Sequence, residues 1–365
     1  MPAQTSSSLV TPAGDPRANV YDLSRDELAT HLTDLGYERF RSDQAWTWLY
    51  QHKVLSFADM SNLPVALREE LPNHLRLGSL EVVQDIRSSD GETRKLALRL
   101  PDGQLIETVV MRYDGIRRTA CISTQAGCAM GCVFCATGQM GFARQLSVGE
   151  IVEQALHVAR LLEAEGERLS NVVLMGMGEP FHNYDNTLSA IRRLMDPDGL
   201  NIGQRHITVS TVGLVPAIRR FAGEDLQVRL AISLHAATDD ERSALLPVNR
   251  RYPLAELLAS VREYIDKTNR RVTFEWTLIE GENDTPLQAH SLGSLLQGML
   301  CHVNVIPLNP TTGYGGAPSS ANRIDEFVRI LEKTYGIATT VRVRRGIDVN
   351  AGCGQLKAAV LRLDQ

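Results

Sequence analysis

The sequence contains no run of about eighteen uncharged apolar residues, so no segment of it reads as a membrane span. Residues 1–18 lack the basic start and apolar stretch of a signal peptide; rich in Ser, Thr, Pro and Ala, they read as a disordered tail. Cysteine is sparse, with 6 in 365 residues, and it is crowded into one region, which suits a reducing cytoplasm better than a secreted disulfide framework. A basic excess is also missing. The formal net charge is −5, so any contact with a nucleic acid must be made locally. Arginine doublets at 117–118, 192–193, 219–220, 250–251, 270–271 and 344–345 are the local candidates. Near the ends of elements, the same cations would serve equally well at helix C-termini or on a solvated rim.

What the chain does have is 43% hydrophobic residues, enough core for one large α/β unit with a smaller partner. Ser24-Arg25-Asp26-Glu27 has capping-box spacing and opens an amphipathic helix that stops at Gly36. Ser42–Gln51 and Leu63–Leu71 read as two more helices, so residues 19–79 are expected to form a small helical accessory domain. Trp46 and Tyr50 lie four apart on one helix face, which favours core packing over base stacking. Alternation over Val82–Ile86, Arg94–Leu100 and Leu105–Val110, with turns at Ser88–Gly91 and Pro101-Asp102-Gly103, predicts a short antiparallel β extension over 80–113.

Over 114–365 apolar strand candidates alternate with helical stretches, the pattern of repeated β-α units around a parallel sheet. The strands are expected at Ala120–Ser123, Asn171–Met175, His206–Ser210, Val228–Leu234, Val272–Leu278, Val303–Pro307 and Thr340–Arg344. Helices are expected at Val148–Leu162, Thr187–Met195, Leu254–Lys267 and Arg323–Tyr335. About six such units are fewer than the eight of a closed barrel.

In α/β barrels the chemistry sits where strands end. The first strand is followed by Cys128, Cys132 and Cys135 in a Cys-x3-Cys-x2-Cys spacing. Three thiolates on one short loop can hold three irons of a [4Fe–4S] cube and leave the fourth open to a ligand. A structural zinc is closed by four ligands, and no His falls in this loop to complete such a set; three neighbouring thiols cannot all pair as disulfides. Gly176-Met177-Gly178-Glu179-Pro180 follows the second strand, where glycines let a ligand approach the backbone and a carboxylate can accept from an ammonium group. Ser210 ends the third strand, Ser233-Leu234-His235 the fourth, and Asn309 follows the sixth. Such groups suit the edges of a nucleoside, and equally the capping of a following helix or turn.

The triplet resembles that of the radical SAM superfamily, in which the open iron binds S-adenosylmethionine and an electron splits it to a 5′-deoxyadenosyl radical. With Cys121 ahead of the triplet and Cys353 in Asn350-Ala351-Gly352-Cys353-Gly354-Gln355-Leu356, the chain is similar to the RlmN/Cfr family of RNA adenine methyltransferases, over nearly its whole length. The resemblance implies a partial (β/α)6 radical SAM barrel, open at a mouth wide enough for a large substrate. It implies Cys128, Cys132 and Cys135 as cluster ligands, and Gly178, Glu179, Ser210, Ser233, Leu234, His235 and Asn309 as contacts of S-adenosylmethionine. It further implies that Cys353 carries a methyl group whose derived radical adds to an adenine carbon, that Glu107 accepts the displaced proton, and that Cys121 releases the adduct through a disulfide.

The RlmN branch, acting on adenine carbon 2 of 23S ribosomal RNA and also on transfer RNA, is preferred to the Cfr branch, which acts on carbon 8. A flavodoxin or ferredoxin is the expected electron donor, and an unstacked adenine the expected form of the substrate. Other readings are a radical SAM enzyme with another substrate and a zinc-binding RNA module. Glu107 taken alone reads equally well as a solvent-facing strand carboxylate. Cys301 matches no role and is expected to be a small buried hydrophobe.

Overall fold

The structure, a computed structural model, describes residues 15, 17–113, 115, 117–311, 313–342 and 355. Cys353, the doublet at 344–345, nearly all of the expected tail and the end of the last expected strand lie outside the described residues.

Ten strands form one sheet: β1 (Glu81–Arg87), β2 (Thr93–Arg99), β3 (Leu105–Arg112), β4 (Arg118–Cys121), β5 (Asn171–Leu174), β6 (Ile207–Thr211), β7 (Arg229–Ser233), β8 (Val272–Leu278), β9 (Cys301–Pro307) and β10 (Thr339–Val341). Their spatial order is their chain order, with β10 at one edge and β1 at the other. β4 to β10 run parallel and β1 to β4 antiparallel. The parallel part is therefore an α/β barrel left open between its two edges, with the hairpin strands β1–β3 extending the sheet beyond β4. Parallel strands require crossovers, and helices over Val148–Ala164, Tyr184–Met195, Val215–Phe221, Leu254–Thr268, Pro286–Leu296 and Ala321–Tyr335 supply them. The last ends in a left-handed Gly336 with φ +66°, a helix stop that costs glycine nothing.

Three helices, α1 (Arg25–Asp34), α2 (Phe40–Tyr50) and α3 (Val65–His74), pack beside the barrel. Ser24 caps α1 with both arms of the capping box formed. Trp46 and Tyr50 are buried, as their spacing predicts, and Trp46 Nε1 donates to Asp196 at 2.9 Å. Glu153, buried on the helix after the cysteine loop, accepts from the backbone N–H groups of Ser79 and Leu80, tying the segment between α3 and β1 to the barrel. No helix among the described residues is long and apolar enough to cross a membrane.

Three of the six arginine doublets are committed to neighbours. Arg118 pairs with Glu167, Arg192 with Glu224, Arg219 with Glu263 and Arg220 with Asp185. Arg193 donates to the Tyr21 carbonyl and the Tyr50 hydroxyl.

Candidate active site

The cysteine loop is pinched at its base. Gln125–Gly127 pairs antiparallel with Phe142–Gln145, and the Cys128 N–H donates to the Gly141 carbonyl at 2.8 Å. Gly127 sits at φ +82°, and a Cβ there would lie 2.1 Å from the Gly141 oxygen, so only glycine permits the closure. Within the loop, the Cys135 N–H donates to the Cys132 carbonyl and Cys135 begins a short helix, Ala136–Gln139. Gly138 leaves room for the Cys132 backbone, which a Cβ would meet at 2.9 Å. The result is that Cys128, Cys132 and Cys135 line one cavity. No three His, Cys, Asp or Glu side chains among the described residues form a group able to hold a single ion, whereas a cubane asks each thiolate for its own iron. Burial pushes the Cys128 thiol up to about 12 and the Cys132 thiol well above its ordinary value. As thiols they are inert there; bound iron would hold them as thiolates.

Gly178, Glu179, Ser210, Ser233 and His235 line the same cavity, joined by Phe134, Met175, Glu275 and Arg342. The glycines of the 176–180 segment serve a nearer purpose than ligand approach. A Cβ on Gly176 would meet the Ile122 carbonyl at 2.6 Å, and one on Gly178 the Gln125 side chain at 2.5 Å, so both let this turn lie against the strand that leads to the cysteines. Glu179 is buried. Its Oε1 accepts from Phe181 N–H at 3.0 Å and its Oε2 from Val212 N–H at 2.9 Å. These bonds favour the anion, but burial outweighs them and holds the carboxyl up at about 7.

His235 takes the left-handed conformation, φ +59°, uncommon for a side chain of its size. Its carbonyl accepts from Asn283 Nδ2, and Nδ1 accepts from the Thr277 N–H at 2.9 Å. The proton of the neutral ring is thereby assigned to Nε2. Burial, reinforced by the Arg242 charge, pushes the imidazole down to about 3, so it stays neutral. The ring also packs edge-on to Phe134 of the cysteine loop at 5.0 Å. Leu234 contributes differently: its side chain is fully buried in the core, and its N–H and carbonyl join Glu275 and Ala236. Asn309 is exposed and not among the cavity-lining residues.

Glu107 and Cys121 meet through strand register. Lys95 stands opposite Val109, and Val109 opposite Cys121, so Lys95, Glu107 and Cys121 share one sheet face. Leu96, Leu98, Ile106, Val110 and Ala120 on the other face join the main core. Glu107 is not a solvent-facing carboxylate: it is 2% exposed, and Lys95 Nζ, at 0%, lies 3.0 Å from its Oε2. Of the two readings the sequence leaves open, the solvent-facing one fails because both faces of β3 are covered. Cys121 is a buried free thiol, pushed up to about 11 by burial, with the Arg342 and Lys95 charges opposing. Arg342 also approaches the Met111 sulfur and so links the Cys121 face to the cavity.

Three positioning residues escaped the sequence reading. Ser123 Oγ donates to the Glu107 carbonyl at 2.6 Å and accepts from Met177 N–H at 2.9 Å, locking β3 to the 176–180 turn. Gln154, fully buried, bonds Ser123 through both backbone groups. Arg342 lay unnoticed in an arginine-rich stretch. Cys301 is half-buried at the start of β9, the opposite end of the barrel from the cavity.

The Radical SAM superfamily model matches residues 122–291. A model described as the ribosomal RNA large subunit methyltransferase N-terminal domain matches residues 18–77. The dual-specificity RNA methyltransferase RlmN 1 of Myxococcus xanthus is 57% identical, over 95% of this chain and 96% of its own length. The ribosomal RNA large subunit methyltransferase N of Nitrosopumilus maritimus is 45% identical, over 94% and 99%. The crystal structure of a radical SAM methyltransferase from Sphaerobacter thermophilus superposes with a TM-score of 0.90 at 49% identity, covering 93% of this chain and 99% of that one.

Proposed function

The chain belongs to the RlmN family of radical SAM RNA methyltransferases, and we propose that it methylates carbon 2 of adenine in 23S ribosomal RNA and in transfer RNA, with the methyl group carried on Cys353. As a radical SAM enzyme it uses a [4Fe–4S] cluster and S-adenosylmethionine. The observation that best supports the reading is the placement of Cys121 and Glu107 on one sheet face, linked through Arg342 to a cavity lined by the cysteine triplet.

When bound, the cluster supplies the electron that splits the sulfonium and yields the 5′-deoxyadenosyl radical. Cys128, Cys132 and Cys135 would hold it. Gly178 and Glu179 would receive the methionine ammonium group, while Ser210, Ser233, Leu234, His235 and Asn309 would hold the ribose, carboxylate and adenine edges. The neutral His235 offers Nε2–H as a donor. Glu107, kept beside Lys95, would take the proton from the adenine carbon once that carbon is bonded through methylene to the Cys353 sulfur, and the adduct's one unpaired electron would leave to the oxidised cluster. Cys121, giving up its thiol proton, would then attack that sulfur; the sulfur–methylene bond breaks toward carbon, which takes up a proton to become the new methyl group, and a Cys121–Cys353 disulfide remains. A buried thiol with a high pKa suits this order, because it stays protonated and unreactive until substrate arrives.

In this reading residues 19–79 are a helical accessory domain, with Ala18 already paired to Leu75 at its edge, 80–113 the extension that delivers Glu107, and 114–365 the catalytic core. A flavodoxin or ferredoxin in a reducing cytoplasm would donate the electron. The deciding experiment is mass spectrometry of nucleosides from ribosomal and transfer RNA after anaerobic turnover. 2-Methyladenosine is expected in both; 8-methyladenosine would move the protein to the other regiochemistry, and unmodified adenosine with intact cofactor cleavage would overturn the reading.

A further inference from the structure

Two cations among the described residues are fully buried, Lys95 and Arg242, and they are treated differently. Lys95 has a carboxylate 3.0 Å away. Among the described residues Arg242 has none within ion-pairing distance, Asp239 acting on it only from farther away. Its guanidinium is met by oxygens that carry no net charge: Nε by the Leu234 carbonyl, Nη1 by Asn249 Oδ1, and Nη2 by the Val212 and Ser233 carbonyls. Of the three carboxylates on the same short helix, Asp239, Asp240 and Glu241, Asp239 spends Oδ1 on Asn249 Nδ2 and the Leu254 N–H, and Glu241 Oε1 accepts from Gln288. A buried charge without a counter-ion is unfavourable unless an anion is brought to it.

The place of Arg242 says which anion. Its helix, Asp239–Leu245, backs the cysteine loop: the Leu245 carbonyl accepts from Val133 N–H at 3.1 Å, and Leu245 and Leu246 pack with Cys132 in a small apolar cluster. Val212 and Ser233, whose carbonyls hold the guanidinium, line the cavity of the triplet. Its field also acts on the Cys132 sulfur.

We propose that Arg242 is the built-in countercharge of the iron–sulfur cluster, a positioning residue that raises the cluster's reduction potential. Three thiolates and the cluster core are net negative, and reduction adds one electron to the cluster, one more negative charge. A fixed cation in a dry site favours the more negative state, so it eases reduction by the electron donor. The inference rests on Cys128, Cys132 and Cys135 being the ligands.

The test uses the full chain, reconstituted anaerobically with iron and sulfide, in the parent and in Arg242→Lys and Arg242→Gln. The readouts are iron and sulfide content and a potentiometric titration of the reduced-cluster EPR signal. The Gln variant should show at least a tenfold lower reduced-to-oxidised ratio at a fixed potential, about 59 mV for one electron. The Lys variant should stay near the parent. A Gln variant that loads iron and keeps the parent midpoint overturns the proposal. Should Gln fail to load, loading by Lys alone supports the countercharge, while equal failure of both makes Arg242 a structural tie and removes it. Separately, Cys132→Ala should lose the cluster; if it keeps a normal one, the ligand assignment fails independently of Arg242.

Discussion

Lys95 and Glu107 form an ion pair at 3.0 Å inside the sheet, with the two side chains 0% and 2% exposed. Lys95 and Cys121 both stand opposite Val109, with Glu107 two residues along the same strand, so a thiol proposed to act on sulfur and a carboxylate proposed to take a proton share one buried face of the sheet.

Removing one partner leaves the other charge buried. Lys95→Met is expected to destabilise the fold by about 3–5 kcal/mol, read as a lower urea midpoint at unchanged slope. Lys95→Met with Glu107→Leu should recover most of that loss while abolishing methylation. If the single and double variants were equally unstable, the pair would contribute nothing as a pair.

Cys121→Ala should still permit cofactor cleavage and addition to adenine but not release. A covalent protein–RNA species should accumulate on denaturing gels under reducing turnover, and its absence alongside normal radical formation would count against the releasing role. In the resting protein, alkylation of Cys121 should be negligible at neutral pH and rise toward pH 11, following the raised thiol pKa.

Glu179, proposed to receive the ammonium group of S-adenosylmethionine, is expected to make cofactor binding depend on pH. A carboxyl held at about 7 is half neutral there, and the neutral acid accepts poorly from an ammonium group. Affinity for S-adenosylmethionine, measured by calorimetry, should therefore rise from pH 6 to pH 8. Glu179→Gln should bind at least ten times more weakly and show no such rise. For the cofactor-free protein the sign is opposite: the folded pKa lies above the ordinary 4.5, so this group's contribution to stability is full below 4.5 and is lost as pH climbs through 7.

Gly176→Ala places a methyl group 2.6 Å from the Ile122 carbonyl. Moving that backbone is expected to cost about 1–3 kcal/mol, and to weaken S-adenosylmethionine binding because the Glu179 turn must shift with it. Thermal melting and cofactor titration of the same variant check both; a variant with parental affinity would show that the turn has slack.

The parallel strands were legible because β-branched, apolar runs of four to eight residues bounded by turns have few other ways to be buried. Val272–Leu278 falls where the pattern places it. The helices with strong faces, such as Val148–Ala164, were legible for the same reason. Asp239–Leu245 was not: seven residues are too few for a period to declare itself, and its purpose, holding Arg242 behind the cysteine loop, is long-range. The burial of Glu107 was left open by the sequence for a related reason, since a strand covered on both faces loses the alternation that marks one side as wet.

The amino-acid order by itself determined the local chemistry: three thiols within one loop, turn glycines, strands that must lie parallel because helices separate them. Which distant groups confront one another was decided by sheet register and loop closure. Register brings Lys95, Glu107 and Cys121 onto one face, and the crossing of chain segments encloses Arg242 among neutral oxygens. Such pairings depend on angles and offsets summed over tens of residues, and charge burial follows from the completed packing, so no window of the sequence contains them.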